Sequence, residues 1–170
     1  MFFLFLILKG TRWWWALGGT PLILFLIQVL TGIMLIFYYV PDPDKAYESV
    51  KYITDTAKFG WLIRSIHHWA SNLMIATLLL HMIRVFFTRT FRSPREINWI
   101  FGVTLFLLTL IFGFTGYSLV YEQMSYWAMK VGTGIAAATP FIGNWIADFM
   151  KGGSEIGQNT LTRFFLFHVV

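Results

Sequence analysis

The stretch Gly60–Phe87 reads GWLIRSIHHWASNLMIATLLLHMIRVFF, and it decides the architecture. No ionised side chain falls between Arg64 and Arg84, and about 20 apolar residues are enough for a helix to cross the hydrocarbon of a bilayer. Yet the stretch carries His67, His68 and His81. Polar groups inside a span are costly and mark function by default. Positions 67 and 81 differ by fourteen, close to four turns, so these two imidazoles share nearly one face and stand roughly 21 Å apart along the axis. His68 is turned about 100° from His67 and is left off that face. Arg64 precedes His67 by three residues and Arg84 follows His81 by three. Each is displaced toward the nearer interface, where a guanidinium can pair with a carboxylate.

Working outward, two more stretches are uncharged: Trp13–Val40 and Ile97–Tyr121. Trp13, Trp14 and Trp15 suit one interface and Tyr38 with Tyr39 the other, as aromatic belts do. The interval of fourteen returns in both, as Gly18 with Gly32 and Gly102 with Gly116. A glycine inside a helix costs about 0.5–1 kcal/mol relative to alanine, so each needs a compensating reason. Close helix packing would supply one, an interhelical hydrogen bond would account for a single histidine, and snorkelling would account for the arginines. None of these predicts one shared interval. Two flat rings do, each lying edge-on against a glycine of either flanking helix. Such a ring, held by two imidazoles as haem is, needs its second ligand from another helix. His168 is the one remaining histidine and stands at the level of His67, whereas His81 requires a partner near a position 182 or 183 that lies past this sequence.

The composition agrees. Hydrophobic residues make up 57% of the 170 and charged ones only 12%, with a mean hydropathy of +0.64. A soluble domain of this size covers itself with charge, so lipid is the solvent and a single all-α transmembrane bundle over residues 1–170 is expected. The net charge of +5 does not imply nucleic acid, because the basic residues flank apolar spans. With no cysteine, disulfides, thiolate-held iron–sulfur clusters and thioether-linked haem are excluded. Lys9, Arg12, Arg84, Arg89, Arg92 and Arg95 place the ends they flank on the cytoplasmic side by the positive-inside rule. PDPDKAYESVKYITDTAK reads as a water-exposed loop on the opposite (p) side, together with Glu122–Thr162, where a surface hairpin of short helices is expected around Ala128–Ala138 and Asn144–Met150. The opening MFFLFLILKG reads as an interfacial lead-in, and the apolar run from Phe164 to Val170 as too short to span.

Read together, ALGG…LIQVLTG, FYYVPD, FGWLIRSIHHWASNLM, LLLHMIRVFFT, SPREINWIFGV, FGFTGYSLVYEQMSYWAMKVGTG and GQNTLTRFFLFH resemble the N-terminal four-helix half of cytochrome b from bc and b6f complexes, with the short split form closer. The resemblance implies two b-type haems, with His67 and His168 as ligands of the p-side one and His81 of the other. Gly18, Gly32, Gly102 and Gly116 match haem-facing glycines, and Arg64, Arg84 and Arg163 basic positions near propionates. It also implies a quinol-oxidation wall carrying Tyr117, Tyr121, Gln123, Val131 and Gly132. Implied partners are a Rieske iron–sulfur protein, a C-terminal cytochrome b half or subunit IV-like chain, a c-type cytochrome, quinol, lipid and a second copy of the complex, in an energy-transducing membrane such as the bacterial cytoplasmic membrane. Electrons from quinol would pass across the membrane by way of the haems. A di-haem anchor for a peripheral dehydrogenase would share the histidines but not the wall. Ala16 stands where b6 chains carry a haem-tethering cysteine, and Val120-Tyr121 where the family reads Pro-Trp. Both ends read as short, as in a fragment or a split gene.

Overall fold

The computed structural model describes residues 13–170. The lead-in MFFLFLILKG and the basic Lys9 and Arg12 lie outside the described residues. Among those described there are seven α-helices, preceded by a 3-10 segment Trp13–Gly18, and no strand. The helices are α1 (Thr20–Ile36), α2 (Ala46–Asp55), α3 (Gly60–Phe87), α4 (Glu96–Ser118), α5 (Gln123–Ala137), α6 (Gly143–Lys151) and α7 (Gln158–Val169). Three stretches are long and apolar enough to cross a membrane: Ala16–Ile36, Gly60–Phe87 and Glu96–Ser118, with mean hydropathies of 2.1, 1.6 and 2.1. Their leucines, isoleucines and phenylalanines are widely exposed, as they must be when the solvent is lipid.

The first span is not one continuous helix to Val40. Gly18 and Gly19 interrupt it, and α1 restarts with the Thr20 hydroxyl donating to the Ala16 carbonyl at 2.9 Å. Pro21 sits in the first turn, where its missing N–H would have had no partner anyway. The segment read as a p-side loop contains α2. Its acids and lysines form the solvated face of an amphipathic helix, and Ala46 and Ile53 form the buried face at i and i+7. Composition alone shows the first face and hides the second. The third span ends at Ser118, before the expected Tyr121, because the chain turns there and Tyr121 adopts a left-handed backbone with φ 51°. The expected short helices are present as α5 and α6, which pack together. Gly152, at φ 75°, ends α6 by donating its N–H to the Asp148 carbonyl at 2.8 Å.

The chain forms two compact units, residues 13–31 with 65–110 and residues 32–64 with 111–170. In the first, Phe86 stacks on Phe91 at 5.9 Å and Phe91 tilts against Trp99 at 5.7 Å, closing the loop between α3 and α4. In the second, Ala46, Leu119, Met129, Leu161 and Phe164 form a buried core, with Phe164 edge-on to Phe114 at 5.6 Å. Tyr39 is tied to the same unit. Its ring stacks on Phe165 at 5.5 Å, and its hydroxyl donates to the Leu119 carbonyl at 2.7 Å.

Burial pushes the Tyr39 phenol well above the ordinary tyrosine range. A proton held more tightly in the folded than in the unfolded chain stabilises the fold below the unfolded value, near pH 10, and that stabilisation is lost as pH rises toward the folded value. Tyr39→Phe should cost about 1 kcal/mol at neutral pH and flatten the fall in stability above pH ~10. Denaturation midpoints measured across that range, for both forms, test it.

Candidate imidazole-centred sites

In the first unit α1 and α3 bring Thr31, Gln28 and His67 together. Thr31 is buried, and its hydroxyl donates back to the Ile27 carbonyl at 2.6 Å. Its one proton is thereby spent, so toward His67 Nδ1, 2.8 Å away, Thr31 Oγ1 is an acceptor and Nδ1 carries the hydrogen. The Gln28 amide donates to the His67 carbonyl at 2.8 Å, and its Oε1 is buried without a hydrogen-bond partner among the described residues. With Nδ1 protonated, the lone pair of the neutral ring is on Nε2. Metal-ligating histidines are fixed in this way, the far nitrogen donating to a neighbour that sets tautomer and ring plane.

His168 repeats the logic in the second unit. Its Nδ1 lies 2.9 Å from the Phe112 carbonyl, which can only accept, and 3.4 Å from the Thr115 hydroxyl, itself donating to Ile111 at 3.0 Å. Nδ1 is again the protonated atom and Nε2 holds the lone pair. The ring packs on Gly116, where a Cβ would stand 2.5 Å from His168 Cε1. Only glycine fits there.

His81 is different. Its Nδ1 is buried with no hydrogen-bond partner among the described residues, and it lines a cavity of about 400 Å³ with Gly18, Arg84, Arg95, Asn98, Trp99 and Gly102. A Cβ on Gly102 would meet nothing within 4 Å, while one on Gly18 would make ordinary contact with the His81 ring at 3.5 Å. Four residues singled out from spacing (Gly18, His81, Arg84 and Gly102) therefore share one cavity. Arg95 and Asn98 were missed as site residues, since charge pattern assigns Arg95 only to orientation. Thr31, Gln28 and Thr115 were missed too, although polar groups within spans are the signal that would have found them.

His68 is exposed, with Nε2 3.4 Å from the Asn72 amide, and takes no part in these sites. Arg64 is half-buried in the first turns of α3. The Arg163 guanidinium donates to the Phe149 carbonyl and lies over the Phe149 ring at 5.6 Å, so it binds the last turns of α6. Of the residues assigned to a quinol wall, Tyr117, Gln123 and Val131 are exposed, and Gly132 abuts the Phe114 ring so closely that a Cβ there would collide with it. Tyr121 is half-buried and edge-on to Tyr126 at 6.3 Å. Burial raises its phenol pKa, with Tyr126 and Asp44 adding to the shift, so the hydroxyl keeps its proton.

The fold is that of a multi-span helical membrane protein with partly buried imidazoles at positions 67, 81 and 168. The family model described as Cytochrome b/b6/petB matches residues 5–170. Cytochrome b6 of Synechococcus sp. (strain WH7803) is 46% identical over 154 residues, which is 91% of this chain and 71% of that one. Cytochrome b6 of Prochlorococcus marinus (strain NATL1A) is 47% identical over the same shares. A solved structure titled "Hyperthermophilic respiratory Complex III" superposes with a TM-score of 0.83 at 32% identity over 92% of this chain, which spans 42% of that one. The chain belongs to the cytochrome b family.

Proposed function

We propose that this chain is the haem-bearing membrane core of a quinol-oxidising complex, in which His67, His81 and His168 would hold b-type haem through their imidazoles. The observation that carries the proposal is the state of the three rings. Two have Nδ1 engaged so that Nε2 is the basic atom, and the third has a buried, unpartnered nitrogen beside a glycine-lined cavity. The donor set suits the group. Among the described residues no cluster of three or more His, Asp or Glu exists that would hold a bare metal ion, whereas a porphyrin supplies its own equatorial nitrogens and asks only for imidazoles above and below.

Haem, when bound, supplies a reversible one-electron carrier in a low-dielectric setting. This chain's residues do the rest. Thr31 and the Phe112 carbonyl hold the imidazole protons at Nδ1. Gly102 leaves room for a ring edge, Gly32 takes the same role by its spacing, and Gly18 and Gly116 back the His81 and His168 imidazoles. Arg84, with Arg64 and Arg163, places guanidinium charge for propionates. Tyr117, Tyr121, Gln123, Val131 and Gly132 form a wall against which quinol binds, with the Tyr121 hydroxyl available as a neutral donor. The partners in this reading are a Rieske iron–sulfur protein, a C-terminal cytochrome b half or subunit IV-like chain and a c-type cytochrome, in a homodimeric complex of an energy-transducing membrane.

The purified complex tests this. A dithionite-reduced spectrum with bis-imidazole b-type bands, together with quinol-dependent c-type cytochrome reduction that stops when the Rieske protein is removed, supports it. Absence of b-type bands overturns it, and b-type bands without any Rieske dependence point to the anchor role instead.

Ligand strength gives a further check. A hydrogen bond donated by Nδ1 makes the imidazole a stronger base and favours the ferric state. Thr31→Val removes the acceptor, and Thr31→Ser retains it. Losing such an outer partner typically weakens metal affinity by roughly 10–100-fold. If the ferric form alone loses about tenfold, the midpoint potential rises by ~59 mV. Redox titration of the valine and serine variants should show that rise in the first only.

A further inference from the structure

Between the end of α1 and the start of α3 lies a second cavity of about 260 Å³, lined by Met34, Leu35, Tyr38, Ile53, Ala57 and Ile63 among others, with Lys58 also on its wall. We propose that it is a binding site for an anionic phospholipid, whose acyl chain fills the apolar cavity and whose phosphate rests on the Lys58 ammonium.

Three observations place a lipid there. The first is level. The first span ends at Ile36 and the second begins at Gly60, so the cavity sits where hydrocarbon gives way to headgroups, and α2, contributing Ile53, caps it from the aqueous side. The second is the aromatic surround. Phe37, Tyr38, Tyr52, Phe59 and Trp61 are all at least half exposed, and the Tyr38 and Tyr52 rings stand 6.3 Å apart. Aromatic side chains gather at this depth of a bilayer. The third is charge. Lys58 is exposed, and among the described residues no carboxylate lies within ion-pair reach of it. A cation with no acidic partner beside an apolar slot complements a molecule that is anionic at one end and hydrocarbon at the other.

The backbone fixes this arrangement. Phe59 adopts φ 60°, a conformation non-glycine residues seldom take, and the chain turns there directly into α3. Gly60 follows because a Cβ would run into the Ile53 carbonyl. Lys58 thus directly precedes two conformationally fixed positions, its ammonium 5.9 Å from the Phe59 ring centre, and is not carried on a loose loop. The proposal does not depend on the haem reading.

Photolabelling decides it. The intact complex is reconstituted in nanodiscs with trace phosphatidylglycerol or phosphatidylcholine carrying the same diazirine-bearing acyl chain, and crosslinks are mapped by mass spectrometry. Phosphatidylglycerol should label residues 34–38 and 53–63 in roughly fivefold preference to phosphatidylcholine, the factor expected of one charge at a membrane surface. The preference should vanish in Lys58→Gln, persist in Lys51→Gln, and give way to weak labelling by either lipid in Ala57→Leu, which fills the slot. The yield and gel-filtration profile of the complex report whether each variant is intact. Equal labelling by both lipids in the unaltered complex, or a preference that survives Lys58→Gln, reduces the cavity to ordinary annular contact and overturns the proposal. No labelling of these residues by either lipid means that polypeptide covers them, and overturns it as well.

Discussion

His67→Ala should abolish the haem that His67 ligates, while His68→Ala, one residue along the same helix, should leave the b-type spectrum intact. The contrast rests on what each ring touches. His67 Nδ1 is 2.8 Å from a buried threonine hydroxyl whose proton is already committed to Ile27, which leaves the lone pair on Nε2 in a ring of fixed orientation. His68 is exposed, near the Asn72 amide and edge-on to the Trp69 ring of its own helix. Under the proposed ligation, alanine at 67 removes a coordinate bond outright. The loss should exceed the roughly 10–100-fold weakening seen when only an outer partner of a ligand is removed. Alanine at 68 removes a marginal contact. Reduced-minus-oxidised spectra and extracted haem per complex measure both. Full haem content in the position-67 variant would remove the axial role from that histidine, and a matching loss in the position-68 variant would attribute the effect to helix damage instead.

What could be read from the sequence follows from which physical constraint is strictest. The three spans are legible because a bilayer forbids ionised groups over about 20 residues, and Arg64 and Arg84 mark the uncharged interior of α3, within a turn or so of its ends at Gly60 and Phe87. The cavity around His81 is legible because glycine in a helix needs a reason, so Gly18 and Gly102 betray the space they line. α2 is not, since its polar face dominates a count of charges and its burial depends on Ile53 and Ala46, which no count singles out. The break before α1 falls at Gly18 and Gly19, and the early end of α4 at the left-handed turn of Tyr121, local features that hydropathy does not sense. Thr31 and Thr115 illustrate a third limit. Their hydroxyls satisfy helical carbonyls, as most membrane threonines do, and only the coordinates bring the imidazoles of positions 67 and 168 within reach. Arg163 matches a propionate-binding position by sequence, and the structure adds that its guanidinium is bonded to Phe149.

The glycines separate two effects that are usually confounded, and the largest change in stability is expected at Gly116. Alanine in place of a helical glycine ordinarily stabilises a chain by about 0.5–1 kcal/mol. At Gly102 that gain should appear in full in the haem-free chain, because a methyl group there meets nothing within 4 Å. The same methyl projects into space that the proposed ring edge requires, so haem affinity should fall while the apo chain becomes more stable. At Gly116 the sign reverses. The methyl would lie 2.5 Å from His168 Cε1 and 3.0 Å from Nδ1, and the imidazole can move away only by leaving the Phe112 carbonyl. Overpacking of this kind costs about 1–3 kcal/mol, and a His168 Nδ1–H parted from its acceptor adds a similar amount. Gly116→Ala should therefore destabilise the chain and lose the haem that His168 ligates. Thermal unfolding with and without haem, measured on both variants, distinguishes the two. If Gly116→Ala unfolds no earlier than the unaltered chain, the contact between the His168 ring and Gly116 does not set the position of that ligand.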